Sequence, residues 1–117
     1  MSRPHLLASK VCIITGGATG IGRAIALGFL EHGARGVAVN HLGDERSREL
    51  FQGMLDEAAQ RLDCRREDVE TRMVEVGGDV GDPETGKRLV GKAVEEWGRV
   101  DICVSNAGIC EFKEFLE

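Results

Sequence analysis

Hydrophobic positions along the chain switch between two periodicities. Four short segments are built around continuous apolar runs, which is typical of parallel strands buried on both faces. Three longer segments place their apolar residues three and four positions apart, as an amphipathic helix does. The predicted strands are residues 10–15, 36–40, 71–76 and 100–105, the predicted helices are residues 21–32, 44–62 and 83–97, and residues 64–70 are interpreted as a charged connector.

Each predicted helix has one apolar stripe that we expect to face the core. Gly33 follows the first helix as a C-terminal stop, and Pro83 fits the first turn of the third helix. The expected inward residues are Ile21, Ala24, Ile25, Gly28 and Phe29 in the first helix, Leu50, Met54, Leu55, Ala58, Ala59 and Leu62 in the second, and Leu89, Val90, Ala93, Val94 and Trp97 in the third.

The alternation of strands with helices predicts an α/β fold. Each crossover is long enough to return right-handedly, so the strands form one doubly wound parallel sheet with helices on both faces. We expect about four strands in the order 3-2-1-4, within a single domain over residues 1–117. Such sheets bind ligands where the winding reverses, at the carboxyl ends of strands one and four.

A glycine-rich loop follows the first predicted strand and leads directly into the first helix. Its sequence is Thr15-Gly-Gly-Ala-Thr-Gly-Ile-Gly22. Glycines let the backbone turn sharply and approach a ligand closely, while the free N–H groups of a helix start favour a phosphate. The loop therefore predicts a phosphate cradle, although a tight turn without a ligand is the alternative. A P-loop is excluded because no Lys-Ser or Lys-Thr follows the glycines.

Composition and charge narrow the classes of partner. The chain has 117 residues, with 15 Lys and Arg against 20 Asp and Glu, so its net charge is -5. A protein without a broad basic surface is not expected to bind nucleic acid. We expect no membrane span, because no apolar run approaches the roughly 20 residues a bilayer requires, and no secretory signal, because residues 1–10 lack an apolar stretch. A cytoplasmic location is the resulting expectation.

The cysteines and histidines show no spacing that indicates a metal site. Cys12, Cys64, Cys103 and Cys110 lack a CxxC arrangement and are interpreted as plain thiols. The three histidines, His5, His32 and His41, are scattered along the chain, and we expect them to be solvated.

Three motifs together resemble the short-chain dehydrogenase/reductase family. The glycine loop comes first, Asp79 and Val80 follow the third strand, and Asn106-Ala107-Gly108 follows the fourth. The resemblance runs from residue 11 to about residue 115 and implies a Rossmann-like fold that binds NAD(P), incomplete at its C-terminal side. The cofactor-binding residues it implies are Gly16, Thr19, Gly20, Ile21, Gly22, Asn40, His41, Asp79, Val80, Asn106, Ala107 and Gly108.

The resemblance also suggests roles within this set. Asp79 would accept a hydrogen bond from the adenine amino group and Val80 would pack near the ring, with a solvated turn aspartate as the alternative. The small Ala107 and Gly108 would let the central part of the cofactor lie against the backbone. Asn106 would either contact the cofactor or tie the strand ends together through its amide.

The end of the second strand bears on the choice between NAD and NADP. Asn40 and His41 stand where this fold meets the adenosine ribose, and neither is a carboxylate that would repel a 2′-phosphate. Asp44 and Glu45 are better interpreted as acids in the first turn of the next helix. No basic residue replaces the missing acid, so we expect NAD(P) with a slight preference for NADP.

The resemblance does not extend to the catalytic residues of the family. Family members use a tyrosine with a nearby lysine and serine beyond the fifth strand, whereas this sequence contains no tyrosine. We expect this chain alone to be inactive and to be the cofactor-binding half of an NAD(P)-dependent oxidoreductase, whose longer form would bind the small-molecule substrate. Residues 39–42 resemble sugar, polyol and 3-oxoacyl enzymes most. The alternatives are a non-catalytic dinucleotide-binding or partner-modulating protein, and a non-functional truncation. The protein partners expected for the chain are a second copy of itself or a full-length relative.

Overall fold

Four parallel strands form one sheet through the middle of the molecule. The computed structural model of the chain describes residues 6–106. The strands are β1 (Val11–Ile14), β2 (Gly36–His41), β3 (Met73–Gly77) and β4 (Ile102–Val104). Their order is β3-β2-β1-β4, with β1 pairing in parallel with both β2 and β4. The predicted fold class and strand order are therefore confirmed.

Four helices connect these strands. They are α1 (Gly20–Glu31), α2 (Glu45–Leu62), α3 (Arg66–Glu70) and α4 (Pro83–Trp97). Asp44 caps α2 by accepting a hydrogen bond from the Ser47 backbone N–H at 2.8 Å, and Pro83 occupies the start of α4. Both positions agree with the helix starts predicted from the sequence.

The sheet is buried on both faces, and alternating residues of β1 divide between two cores. Cys12 and Ile14 face the core under α1 and α2, whereas Val11 and Ile13 face the core under α4. All four side chains are completely buried. This burial is the reason that β1 is apolar at every position instead of at alternate ones.

The face predicted for α1 is wrong in part. Ile21 is 72% exposed and Ala24 is also exposed, while the buried residues are Gly22, Ala26, Leu27 and Leu30. Ile25 and Phe29 are only partly buried beside the core. The helix contacts α2 as well as the sheet, so its apolar surface is broader than one stripe and its centre cannot be located from spacing.

Smaller corrections concern the other helices. Phe51 is buried in α2 although the predicted stripe omitted it, and Val94 in α4 is 47% exposed although it was expected inside. The segment interpreted as a connector contains the short helix α3. Val69 of α3 is buried, and the Arg66 side chain pairs with Glu70 one turn later at 3.2 Å. A buried anchor and an i,i+4 ion pair explain this single helical turn.

Candidate functional site

The glycine loop joins the carboxyl end of β1 to the start of α1. Gly16 and Gly20 have φ angles of +62° and +54°, which residues with a Cβ rarely adopt. The Gly17 N–H donates to the Asn40 carbonyl at 2.9 Å, so the loop is fixed to the end of β2. A Cβ on Gly22 would lie 2.5 Å from the Gly16 carbonyl oxygen. The loop is therefore folded closely against the helix that follows it.

The first turn of α1 is open to solvent. Thr19 occupies the N-cap position with extended backbone, but its side chain makes no capping hydrogen bond, and the first turn contains no acid. Thr19, Gly20 and Ile21 are all exposed. Unlike α2, whose N-cap Asp44 supplies a carboxylate, α1 presents backbone N–H groups and a positive helix end to an external anion.

Asn106 ties β4 to the glycine loop. Its backbone N–H donates to Thr15 Oγ1 at 3.0 Å, and its side-chain Nδ2 donates to the Gly16 carbonyl at 3.2 Å. This is the strand-tying role that the sequence left as one of two alternatives. Ala107 and Gly108, the other two residues of that motif, lie outside the described residues.

Asn40 connects three elements from inside the protein. The residue is 1% exposed, its Oδ1 accepts from the Gly16 N–H at 3.3 Å, and its Nδ2 donates to the carbonyls of His41, Val76 and Gly78 at 3.1–3.2 Å. Its amide is thus used within the fold, between the glycine loop and the ends of β2 and β3. The expectation of a ribose contact came from its place at the end of β2.

His41 is buried, so the expectation that it is solvated is wrong. Its side chain is 3% exposed, with Nε2 lying 2.8 Å from Glu75 Oε1. Its Nδ1 accepts a hydrogen bond from the Gly43 N–H at 3.0 Å. Sequence reasoning missed Glu75, although a single carboxylate within the otherwise apolar strand β3 could have drawn attention to it.

A pocket of about 170 Å³ lies where the ends of β1, β2 and β3 meet. It brings together residues from the glycine loop, from the end of β2 and from the segment after β3. A volume of this size suits one ring system and not a whole dinucleotide, because complete ligand sites enclose about 300–1,000 Å³. Its lining residues are Gly16, Asn40, His41, Leu42, Gly78, Asp79 and Val80.

One acid lines the pocket, and one arginine bonds to the strand end beside it. Asp79 is exposed, and its Oδ1 accepts from the Gly81 N–H at 2.9 Å, which is the turn geometry expected for an aspartate at this place. Arg88 reaches from α4 to donate to the Gly77 carbonyl at 2.8 Å. Outside the pocket lining, hydrogen bonds from Ser47 lower the pKa of the Asp44 carboxyl, which caps the start of α2. Sequence reasoning did not single out Arg88, which lies one turn inside a helix predicted only for its apolar face.

The described residues offer neither a metal site nor a membrane-spanning helix. Within residues 6–106, no cluster of three histidine, cysteine or acidic side chains could hold a metal ion. Over the same range, no helix is both long and apolar enough to cross a membrane.

Several known dehydrogenases and reductases are similar to this chain in sequence or in structure. L-rhamnose-1-dehydrogenase of Scheffersomyces stipitis is 46% identical over 96% of this chain, and L-rhamnose 1-dehydrogenase (NAD(P)(+)) of a Sphingomonas species is 44% identical over the same share. The chain spans only 40% and 39% of those two relatives. The crystal structure of L-sorbose reductase from Gluconobacter frateurii, complexed with NADPH and L-sorbose, superposes with a TM-score of 0.69 at 28% identity, covering 93% of this chain and 36% of that one.

A family model described as short chain dehydrogenase matches residues 10–117. That match contains the glycine loop, the pocket and all four strands. The chain belongs to the short-chain dehydrogenase family, whose NAD(P)-binding Rossmann fold its sheet reproduces.

Proposed function

We propose that this chain binds the adenosine and pyrophosphate parts of NAD(P)(H), as the cofactor-binding portion of an oxidoreductase that acts on an alcohol or carbonyl. The observation that carries the proposal is the convergence of the glycine loop, the end of β2 and the Asp79–Val80 segment on one pocket beside the open start of α1. The pyrophosphate would lie on the loop from Gly16 to Gly22, and the adenine would lie in the pocket.

The residues present suit that cofactor. A Cβ at Gly22 would collide with the loop, so the close packing there depends on glycine. The exposed first turn of α1 offers N–H donors to a doubly charged pyrophosphate. When bound, the nicotinamide supplies or accepts the hydride. In this proposal the residues of this chain bind and orient the cofactor: Asn106 holds the loop in place, and Asp79 would accept a hydrogen bond from the adenine amino group.

We also propose a slight preference for NADP. Asn40 and His41 supply no carboxylate at the end of β2 to repel a 2′-phosphate. The Sphingomonas relative is named for both NAD and NADP, and the sorbose reductase was crystallised with NADPH. These names support a site that accepts either cofactor.

The substrate and the activity belong to the proposal as well. Both rhamnose dehydrogenases and the sorbose reductase act on sugars, so we propose a sugar as the substrate class of the whole enzyme. The family's tyrosine has no counterpart in these 117 residues. We therefore propose that this chain alone binds the cofactor without turning over substrate. We further propose that it does so in the cytoplasm, either as a homo-oligomer or beside a full-length relative.

The binding test uses the protein's own fluorophore. Trp97 is the single tryptophan and there is no tyrosine, so the emission of the folded chain comes from one known place. Titration with NADPH and NADH should quench Trp97 and sensitise nicotinamide emission. If neither cofactor produces a saturable change, the proposal is wrong.

Ile21→Asp provides a variant that should fold but fail to bind. The exposed side chain lies in the first turn of α1, where an acid stabilises a helix and repels a bound pyrophosphate. We expect NADPH affinity to fall by about tenfold or more, with an unchanged or slightly raised melting temperature. Ile21→Asn is the matched uncharged control and should bind far more tightly than the acid. Equal binding by the two variants would contradict a pyrophosphate at this helix start.

A further inference from the structure

Glu75 connects the edge of the sheet to the proposed adenosine pocket through a buried histidine. It lies on β3, and its carboxylate Oε1 is 2.8 Å from His41 Nε2. The His41 side chain is 3% exposed and that of Glu75 is 33% exposed. His41 lines the proposed adenosine pocket, whereas Glu75 lies behind it on β3 and is not part of the pocket lining.

The hydrogen bonds around His41 fix the position of its proton. The Gly43 backbone N–H donates to Nδ1 at 3.0 Å, so Nδ1 must be unprotonated. The ring proton is then on Nε2 and is donated to Glu75. The imidazole accepts from one element and donates to another, so it fixes the distance between β3 and the turn that follows β2.

That turn forms a wall of the pocket. Leu42 lines the pocket and is 75% exposed, which leaves its side chain available to a ligand. Gly43, the next residue, packs against the end of β3 so closely that a Cβ on Gly77 would lie 2.7 Å from the Gly43 Cα. A shift of the Gly43 backbone would therefore move Leu42, and the hydrogen bond to His41 resists such a shift.

We propose that Glu75, acting through His41, is a positioning residue that sets the Leu42 wall of the adenosine pocket and so the affinity for the adenosine half of the cofactor. This inference rests on the proposed function and adds to it a residue on β3 that touches no part of the cofactor. The acceptor oxygen of Glu75 is the feature that matters, because the bond to Nε2–H needs an acceptor and not a charge.

Two substitutions separate these features. Glu75→Gln keeps an acceptor oxygen for His41, whereas Glu75→Leu removes it and places an apolar side chain in a groove lined by Phe51, Leu55 and Met73. We expect Glu75→Leu to weaken ADP binding by about 2- to 10-fold, as the loss of one hydrogen bond implies. Glu75→Gln should stay within about twofold of wild type. Glu70→Leu is the control, since Glu70 lines the same groove and pairs with Arg66 instead of His41.

The probes are ADP for the pocket and inorganic pyrophosphate for the glycine loop, each titrated into the ¹⁵N-labelled chain and followed by NMR. Pyrophosphate affinity should be the same in all variants. Failure of ADP to bind the wild type would overturn both this inference and the proposed function. Normal ADP binding by Glu75→Leu would overturn this inference alone.

The wild-type protein supplies a readout that needs no variant. Long-range ¹H–¹⁵N correlations of the His41 ring should show the proton on Nε2 and an unprotonated Nδ1 at neutral pH. The same pattern should persist in Glu75→Gln. In Glu75→Leu the ring is no longer held at Nε2, so the Gly43–Nδ1 hydrogen bond should loosen and a mixture of tautomers should appear. A wild-type ring protonated on Nδ1 would refute the arrangement, because Gly43 could then not donate to it.

Discussion

Two glycines of α1 should respond in opposite directions to the same change. A Cβ added at Gly22 would lie 2.5 Å from Asn106 Nδ2 and 2.5 Å from the Gly16 carbonyl oxygen. Those two atoms are themselves hydrogen-bonded at 3.2 Å, so the new methyl group would separate them. At Gly28, six residues later in the same helix, a Cβ would meet no atom within 4 Å.

The size of each effect follows from these contacts. Gly22→Ala forces an overpacked contact against backbone, which costs about 1–3 kcal/mol, and it weakens a hydrogen bond worth about 1 kcal/mol. The higher helix propensity of alanine returns about 0.5–1 kcal/mol, so the net loss is about 1–3 kcal/mol. Gly28→Ala gains the propensity term alone. At about 4 °C per kcal/mol for a chain of this length, Gly22→Ala should lower the melting temperature by about 4–12 °C and Gly28→Ala should raise it by about 2–4 °C.

Thermal melts followed by circular dichroism and by Trp97 emission measure both changes. Trp97 reports from a distant part of the fold, where its ring packs against Gly36 at the start of β2 and its Nε1 donates to the Thr71 carbonyl at 3.2 Å. ADP binding should be lost or strongly weakened in Gly22→Ala and retained in Gly28→Ala. A Gly22→Ala protein as stable as wild type would refute the packing of loop, helix and Asn106 described here.

Other consequences of the structure can be tested in the same way. Arg72 donates from Nε and Nη2 to the Ala34 carbonyl at 3.2 and 2.7 Å and from Nη2 to the Leu30 carbonyl at 3.0 Å. Arg72→Leu should therefore lower the free energy of unfolding, measured by urea denaturation, by about 2–3 kcal/mol. Arg72→Lys should restore only part of that stability, because lysine lacks the planar guanidinium fork. A hydrogen bond from the Arg99 side chain, and to a lesser extent one from the Val11 N–H, lowers the pKa of Asp101 below its usual 3.8. The contribution of ionised Asp101 to stability is therefore complete above pH 3.8 and is lost as the pH falls through the lower pKa of the folded state. In melts from neutral pH down to about pH 3, the stability difference between wild type and Asp101→Asn should shrink with acidification, and a constant difference would contradict this assignment. Burial raises the pKa of the Cys12 thiol to about 12, so Cys12 should not react in the native protein. Timed alkylation followed by mass spectrometry should label Cys12 only after unfolding, whereas the partly exposed Cys64 should be labelled in the native state.

The strands and their order could be predicted because each depends on a local signal. β1 is apolar at four successive positions, which only a strand covered on both faces explains. The helix crossovers leave one handedness, and the order found is the usual one for a doubly wound sheet built from such crossovers. The predicted end of α4 at Trp97 is also confirmed, and Gly98 ends the helix there in a left-handed conformation.

The inward face of α1 could not be predicted because the helix has two kinds of neighbour. Leu27 and Leu30 pack onto the sheet, while Arg23 pairs with Glu57 of α2 at 2.7 Å. Ile21 is apolar but exposed at the mouth of the glycine loop, where the proposed cofactor would cover it. The predicted stripe therefore included the exposed Ile21 and omitted the buried Leu27 and Leu30, because spacing alone does not show which apolar residues of a helix face the sheet.

The same distinction explains what the sequence revealed of the site. Glycine positions were visible because a close approach of backbone admits no other residue, and Gly22 is such a place. Asn40 and His41 were singled out from their place at the end of β2, but their hydrogen-bond partners were not visible, because those partners lie on elements distant in sequence. Asn40 reaches Gly16 and Gly78, and His41 reaches Glu75, 34 residues away. A buried amide or imidazole at a strand end needs partners of this kind, so such a residue in the sequence is evidence of a cross-strand network before it is evidence of a ligand contact.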